Sequence, residues 1–171
     1  MKISLILAAT LLLVPSFSLR AETVKFPEKN PAFSVTVPKG WTVTTDKEGN
    51  LHLVCPKDNL NTVFIPQADL KKDDDLAQFL MLLAHELEKN LELKDLRVGE
   101  INKSRTENGL KLFRLNASGT DPKGREMILP LAGFAPTTGV YFITSSPCPA
   151  AVYKEHQKDN SDIINSITPI R

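Results

Sequence analysis

The sequence predicts an α+β fold: a single twisted antiparallel β-sheet with helices packed on its faces, an α/β/α sandwich. Three apolar segments follow one another between residues 108 and 149, separated by strong turn signals, as in an antiparallel meander. Between residues 73 and 91 the apolar spacing changes to that of a helix. Runs of strands separated by single helices are typical of α+β domains with antiparallel sheets.

The composition is that of an ordinary globular domain. The 171 residues are 42% hydrophobic and 24% charged, which is enough apolar material for one domain with its own core. The formal net charge is +1, so no excess of positive charge indicates nucleic acid or an anionic membrane surface as a partner. No repeat, low-complexity tract or linker divides the chain after its first segment.

Residues 1–21 have the pattern of a secretory signal peptide. Lys2 supplies a positive start, residues 3–14 form an apolar run, and Ala21 is a small residue suited to cleavage, as is Ser18. The apolar run is shorter than the roughly 20 residues that a membrane-spanning helix needs. We therefore expect residues 22–171 to form a single α+β domain that is periplasmic or secreted, with no membrane span after signal removal.

The first half of the domain is predicted to hold a lead-in and four strands. Residues 33–37 alternate apolar and polar side chains, which is the period of a half-buried strand. Further strands are predicted at residues 41–45, 51–55 and 62–67, with turn-forming residues before and after them. Residues 22–32, which carry two prolines, are predicted to be an extended lead-in.

A helix is predicted over residues 73–91. Its apolar positions form one face: Leu76, Phe79, Leu80, Leu83, Leu87 and Leu91. Asp73, Asp74 and Asp75 stand at its start, where carboxylates cap free N–H groups and meet the positive end of the helix dipole. These three carboxylates lack the alternating positions and the glycine of a calcium-binding loop. The helix should lie flat on a sheet.

The second half is predicted to hold four strands. Residues 97–106 contain few large aliphatic side chains, which indicates an edge strand. Residues 110–119 follow an Asn-Gly turn. Residues 126–135 and 140–145 are apolar on both faces, which is typical of central strands covered on both sides. Pro130 lacks a backbone donor, so a bulge or a loss of pairing is expected there.

The last element is predicted to be a less regular helix over residues 149–167. His156 and Ile163 can share one of its sides, but the polar residues around Asn160 interrupt the pattern and predict a break or bend. Pro169 should end the element, because proline cannot continue a helix.

The order of these elements and two short segments resemble the PsbP-like fold. The segments are Phe-Ser-Val-Thr-Val-Pro-Lys-Gly-Trp at residues 33–41 and Asp-Ile-Ile-Asn-Ser-Ile-Thr-Pro at residues 162–169. That superfamily includes the extrinsic PsbP proteins of photosystems and small secreted bacterial proteins of the DcrB type. The resemblance implies a non-enzymatic module that docks on other proteins, and it supplies no catalytic residues. Lipoprotein members carry a lipidated cysteine, which this chain lacks near the cleavage region.

Cys55 and Cys148 are the only cysteines, and each precedes a proline at the end of a predicted strand. In an oxidising compartment, two cysteines in a small domain favour a structural disulfide. Two other interpretations stay open. Cys148 precedes Pro149 at a helix start, where a thiol becomes more acidic and can serve as a nucleophile. Alternatively, both thiols are buried and inert.

No other side chain forms a recognisable chemical motif, so the sequence predicts no catalytic residue, no metal site and no cofactor. His52, His85 and His156 lack metal-ligand spacing and are expected at the surface or half-buried. Trp41 follows a turn and is a candidate contact for a partner protein, although packing at the edge of the core is the simpler interpretation.

Three functions are compatible with these observations. We favour an exported, non-enzymatic binding or accessory module that docks on an unknown protein partner. The first alternative is a small-molecule or lipid-binding protein with a pocket between the helix at residues 73–91 and the sheet. The second is a thiol enzyme that uses Cys148.

Overall fold

The computed structural model describes residues 21–170, so the predicted signal peptide lies outside the described residues apart from Ala21. The helices are α1 Asp73–Asn90 and α2 Ala150–Asn165. The strands are β1 Glu22–Phe26, β2 Phe33–Val37, β3 Thr42–Thr45, β4 Leu51–Cys55, β5 Leu60–Gln67, β6 Lys94–Val98, β7 Asn102–Arg105, β8 Lys111–Thr120, β9 Glu126–Thr137, β10 Val140–Ser145, β11 Cys148–Pro149 and β12 Thr168–Pro169.

The strands form two antiparallel sheets, so the prediction of a single sheet is wrong. The large sheet has the order β3-β4-β5-β10-β9-β8-β6, with β7 also paired to β8 and β11 to β9. The small sheet has the order β1-β2-β12, and its first strand replaces the predicted lead-in. Strand β2 buries Phe33, Val35 and Val37 against the face of the large sheet. Local alternation indicates that this apolar face must be buried, but not which sheet the strand joins.

The helix α1 covers one face of the large sheet, as predicted, and we call this the α1 face. It lies over β6, β8 and β9 and buries Leu76, Leu80 and Ala84. Asp75 caps its start by accepting hydrogen bonds from the backbone N–H groups of Lys71 and Lys72 at 3.3 and 3.2 Å. The acidic run at the start of the helix therefore has the capping role that the sequence indicates.

The opposite face of the large sheet, the α2 face, is covered by the small sheet and by α2. Between these layers lies an aromatic core: Phe26, Phe33, Phe64, Phe134 and Phe142. The rings of Phe33 and Phe142 meet edge to face, with centroids 4.9 Å apart. Strands β8, β9 and β10 are thus covered on both sides, which accounts for their apolar character on both faces.

The helix α2 is continuous, so the predicted break near Asn160 does not occur. Asn160 is buried and faces the sheet, and its Oδ1 lies 3.4 Å from Ser146 Oγ. A polar side chain inside the helix is tolerated here because Ser146, in the link between β10 and β11, offers it a hydrogen-bonding partner.

Pro130 interrupts pairing on one side of β9 only. Its partner in β8 is Asn116, and the β8–β9 register continues through it without a break. On the other side, the regular ladder stops between the end of β10 at Ser145 and the start of β11 at Cys148, where one backbone bond, from Ser146 N–H to Pro130 O at 3.2 Å, is kept. The predicted loss of pairing is therefore confirmed, and it lies where the missing N–H group would have pointed.

Candidate binding site

A cavity of about 250 Å³ lies between α2 and the large sheet, and we call it the α2 cavity. Its polar lining residues are Arg114, Asn116, Thr144, Ser146, Tyr153, Gln157, Asn160 and Ser161. Asn116 and Gln157 are exposed, so the cavity opens to solvent at their side. The lining residues include no carboxylate.

Strand alternation places Arg114 in this cavity. Its neighbours Phe113 and Leu115 are buried under α1, and a period of two sends Arg114 to the α2 face. On β10, Thr144 reaches the same face by the same rule, because Ile143 packs under α1. Polar residues therefore lie inward at two positions within otherwise apolar strands.

The guanidinium of Arg114 is only partly satisfied. Its Nη2 donates a hydrogen bond to Asn165 Oδ1 at 2.7 Å, whereas its Nε is buried without a partner among the described residues. Burial lowers the pKa of Arg114, but a guanidinium stays protonated at neutral pH. The cavity therefore holds a positive charge and a free donor, an arrangement that favours an anionic group with acceptor oxygens.

The other polar groups of the cavity differ in how well they are paired. Ser146 Oγ lies 2.9 Å from Thr62 Oγ1 and so has a partner within the protein. The buried hydroxyl of Thr144 has none among residues 21–170. Thr144 thus adds a second unpaired polar atom to the same cavity, where a bound group can satisfy it.

A second cavity of about 380 Å³ continues from the first along β8. The two share Asn116 and Tyr153, and the second is also lined by Arg97, Gly99 and Ile128. Gly99 donates its N–H to Asn116 O at 2.9 Å, and a Cβ at this position would lie 2.9 Å from the same oxygen. We call the combined depression the β8 groove. It carries an arginine in each cavity.

Where a pocket between α1 and the sheet was predicted, residues 21–170 show close packing. Helix and sheet are in close contact there, because a Cβ added to Gly133 would lie only 2.6 Å from Leu76 Cδ1. Leu76, Leu80 and Ala84 are fully buried against the strands. The cavities described above lie on the α2 face instead.

Both cysteines lie in one small apolar cluster with Leu60, packed against Trp41, Val152 and Tyr153. They are free thiols and are not at bonding distance, so the disulfide stays a prediction. Burial raises the pKa of Cys148 to about 11, the opposite of what a nucleophilic thiol requires. This weakens the thiol-enzyme interpretation.

Trp41 is half-buried at the edge of the core. It packs against both the aromatic core and the cysteine cluster, and its ring meets that of His156 edge to face at 6.2 Å. Packing accounts for its position, and its role as a partner contact stays a prediction.

The three histidines have different surroundings. His52 is 2.8 Å from Asp46 Oδ2, and His85 lies exposed on α1 near Glu88. His156 is only 8% exposed and contacts two carboxylates. Its Nε2 lies 2.7 Å from Asp58 Oδ2, and its Nδ1 lies 3.0 Å from Asp159 Oδ2.

Sequence reasoning did not select Arg114, Thr144, Asp58 or Asp159. A charged residue at an inward position of an apolar strand is the signal that marks Arg114. His156 and Asp159 are three residues apart on one helix face, which brings their side chains together. Asp58 stands in a polar turn after β4, and nothing in its local sequence connects it with α2.

No protein-family profile and no curated protein matches the chain. Its fold, however, is found in solved structures: the two-sheet α+β arrangement with one helix on each side of the large sheet is the PsbP-like fold. The predicted architectural resemblance is confirmed. At 11–15% identity, these similarities concern the fold alone.

Three of these solved structures are similar over most of their length. Cyanobacterial PsbP (CyanoP) from Synechocystis has a TM-score of 0.64 and 11% identity, and the match covers 89% of this chain and 94% of that one. LpqN, involved in cell envelope biogenesis of Mycobacterium tuberculosis, has a TM-score of 0.58 and 15% identity, and the match covers 88% of this chain and 92% of that one. The Ran-binding protein Mog1p of Saccharomyces cerevisiae has a TM-score of 0.54 and 11% identity, and the match covers 88% of this chain and 95% of that one.

Neither helix in residues 21–170 has the length and apolar character needed to cross a membrane.

Proposed function

We propose that this protein is an exported, non-enzymatic accessory module that binds a partner protein by receiving one of its acidic groups in the α2 cavity. The observation that carries the proposal is the half-buried Arg114, whose charge faces a cavity without a carboxylate. A buried charge without a counter-ion is costly, so a site of this kind gains stability when an anionic group enters.

The open form of the α2 cavity favours a protein partner over a free small molecule. Pockets for small ligands enclose most of the ligand surface, whereas the α2 cavity, of about 250 Å³, opens to solvent beside Asn116 and Gln157 and continues into the second cavity. That volume suits a single acidic side chain or a chain terminus. The second cavity of the β8 groove then accommodates the residues next to it, and Arg97 provides a second positive charge.

The similar structures are compatible with this role. Mog1p is described as a Ran-binding protein, and LpqN as involved in cell envelope biogenesis. A binding function carried by this fold, acting outside the cytoplasm, agrees with the signal-peptide pattern of residues 1–21.

Cross-linking in cells tests the binding surface. A photoreactive residue at Gln157, which is exposed at the cavity, should capture one partner, and the Arg114→Met substitution should abolish that capture. The matched control is the same photoreactive residue at Glu86, which is exposed on α1. Equal capture at both positions, or capture at Gln157 that Arg114→Met does not reduce, would contradict the proposal.

The chemistry of the bound group is tested with short peptides. Tri-glutamate with both termini blocked should shift the NMR signal of the Arg114 Nε–H group, whereas tri-glutamine blocked in the same way, at the same concentration, should not. A shift with both peptides, or with neither, would argue against recognition of an acidic group.

Export is tested separately by cell fractionation and intact mass. We expect a mature chain that begins after Ala21 or after Ser18, found in the periplasm or the medium. A full-length chain in the cytoplasm would contradict this part of the proposal.

A further inference from the structure

We propose that Cys55, Asp58 and His156 form a binding site for a zinc-type divalent metal ion. Their ligand atoms all lie within 4.8 Å of one another. His156 Nε2 is 3.9 Å from Cys55 Sγ and 2.7 Å from Asp58 Oδ2. This inference does not depend on the α2 cavity or on the proposed partner.

The spacing fits tetrahedral coordination after small side-chain movements. Zinc lies about 2.3 Å from sulfur and about 2.0 Å from nitrogen and oxygen, which places the ligand atoms of a tetrahedron roughly 3.3–3.6 Å apart. The two distances at His156 Nε2 lie on either side of that range. Asp58 stands in the turn between β4 and β5 with a side chain 22% exposed, so it has room to move outward as the ion enters.

The orientation of His156 is already that of a metal ligand. Asp159 Oδ2 lies 3.0 Å from Nδ1, so the carboxylate can accept that N–H group and leave Nε2 directed at Cys55 and Asp58. Histidines that bind metals usually donate their second N–H in this way, which fixes the ring and raises its basicity as a ligand. Asp159 is thus a positioning residue.

Two of the three ligands, Cys55 and His156, are buried on regular secondary structure. Cys55 ends β4 at 5% exposure, and His156 lies on α2 at 8%. Leu60 and Trp41 pack beside them. Ligands fixed on a strand and a helix need little ordering when the ion binds.

The charge balance favours a cation. Asp58 and Asp159 each contribute a negative charge beside the imidazole. Cys55 adds a third negative charge, because a thiol releases its proton when it binds the metal. The Lys57 ammonium lies 3.8 Å from Asp58 Oδ2 and is paired with Glu155. A mixed sulfur, nitrogen and oxygen set suits zinc or cobalt and not magnesium or calcium. Three protein ligands leave one coordination position for water.

Titration of the reduced mature chain, residues 22–171, with Co²⁺ tests the site directly. We expect one equivalent to bind with a thiolate-to-cobalt charge-transfer band in the near ultraviolet and the intense visible absorption of a tetrahedral ion. One equivalent of Zn²⁺ should displace it. Oxidation of the thiols should remove the band, because Cys55 is then no longer available as a thiolate.

Variants identify the ligands. Cys55→Ser should remove the charge-transfer band, and His156→Gln should weaken Co²⁺ binding at least tenfold. Asp159→Asn should weaken it by about 10-fold without changing the band position. The matched control is Cys148→Ser, which removes the neighbouring buried thiol and should leave the band unchanged. Asp58→Asn, a substitution at a partly exposed residue, provides a second ligand variant if Cys55→Ser does not fold.

A reduced wild-type chain that binds no Co²⁺ would overturn the proposal. So would a band that persists in Cys55→Ser, or one that Cys148→Ser removes.

Discussion

Arg114 on β8 donates a 2.7 Å hydrogen bond from Nη2 to Oδ1 of Asn165, the last residue of α2. This contact joins the end of the helix to the large sheet beside the cavity. Because only one edge of the guanidinium is used, the same residue is available to hold the helix and to receive a ligand.

Replacing Arg114 should remove partner binding without lowering the free energy of unfolding. In Arg114→Met, the methionine fills much of the same space, and removal of a charge that no carboxylate of the cavity balances offsets the loss of the hydrogen bond to Asn165. We expect the free energy of unfolding in urea to stay unchanged or to rise by up to about 2 kcal/mol, while partner capture is lost. Arg125→Met is the control, because Arg125 is paired with Asp121 at 2.7 Å and its loss should lower the free energy of unfolding. A comparable loss of stability in Arg114→Met would contradict the prediction.

The close contact between Gly133 and α1 predicts that a larger residue at position 133 destabilises the fold. In Gly133→Ala, the new Cβ would lie 2.6 Å from Leu76 Cδ1 and 2.8 Å from Cγ, so the helix or the side chain must move. We expect a loss of about 1–3 kcal/mol in urea unfolding. Leu76→Ala alone should cost about 2–5 kcal/mol through the cavity it leaves.

The double variant Gly133→Ala/Leu76→Ala tests the cause. Removing Leu76 also removes the clash, so the two losses should sum to more than the loss in the double variant, by at least about 0.5 kcal/mol. Additive losses would show that another contact limits Gly133.

Stability should depend on pH through Asp121. Its carboxylate accepts the backbone N–H of Arg125 at 2.9 Å, the Nε–H of Arg125 at 2.8 Å and the backbone N–H of Lys123 at 2.9 Å. These hydrogen bonds hold the pKa of Asp121 below its usual value, and the bond from the Arg125 backbone N–H has the largest effect. The unfolded chain therefore binds the proton first, near its unperturbed pKa of about 3.9.

The contribution of Asp121 is therefore complete above about pH 4 and is lost as the pH falls through the lower folded pKa. Asp121→Asn should lower the unfolding temperature at neutral pH and reduce its fall on acidification. Glu48→Gln, at an exposed carboxylate in another turn, is the matched control and should leave the pH profile unchanged. An Asp121→Asn profile parallel to that of the wild type would contradict the prediction.

Cys148 should resist alkylation while the protein is folded. With a pKa of about 11, its thiolate fraction at pH 8 is roughly one in a thousand, and burial at 3% exposure limits access further. In Cys55→Ser, where Cys148 is the only thiol, iodoacetamide should react slowly at pH 8 and rapidly after unfolding. Rapid reaction of the folded protein would indicate an activated thiol.

The same reagent tests the predicted disulfide in exported wild-type protein. If Cys55 and Cys148 are bridged, the unfolded but unreduced chain should take up no iodoacetamide, and its mass should be lower by two hydrogens. Uptake at both cysteines would overturn the disulfide prediction.

The local sequence was sufficient for most of the elements. The 3.6-residue period identified α1, and the run of apolar segments between turns identified β8, β9 and β10, because these patterns are carried by neighbouring residues. The acidic start of α1 and the interruption at Pro130 follow from backbone hydrogen bonding, which is also local. The continuity of α2 could not be predicted locally, because it depends on Ser146, in the link between β10 and β11, as a partner for Asn160.

By itself, the sequence thus determined the class of fold and the positions of its main helices and strands. Only the tertiary structure decided that β2 lies across the large sheet and does not extend it, and that Arg114 faces a cavity closed by α2. It also brought Cys55 to His156, which lies 101 residues further along the chain. Periodicity is a property of adjacent residues, whereas these contacts arise because separate apolar faces must be buried against each other, and packing of whole layers sets which side chains meet.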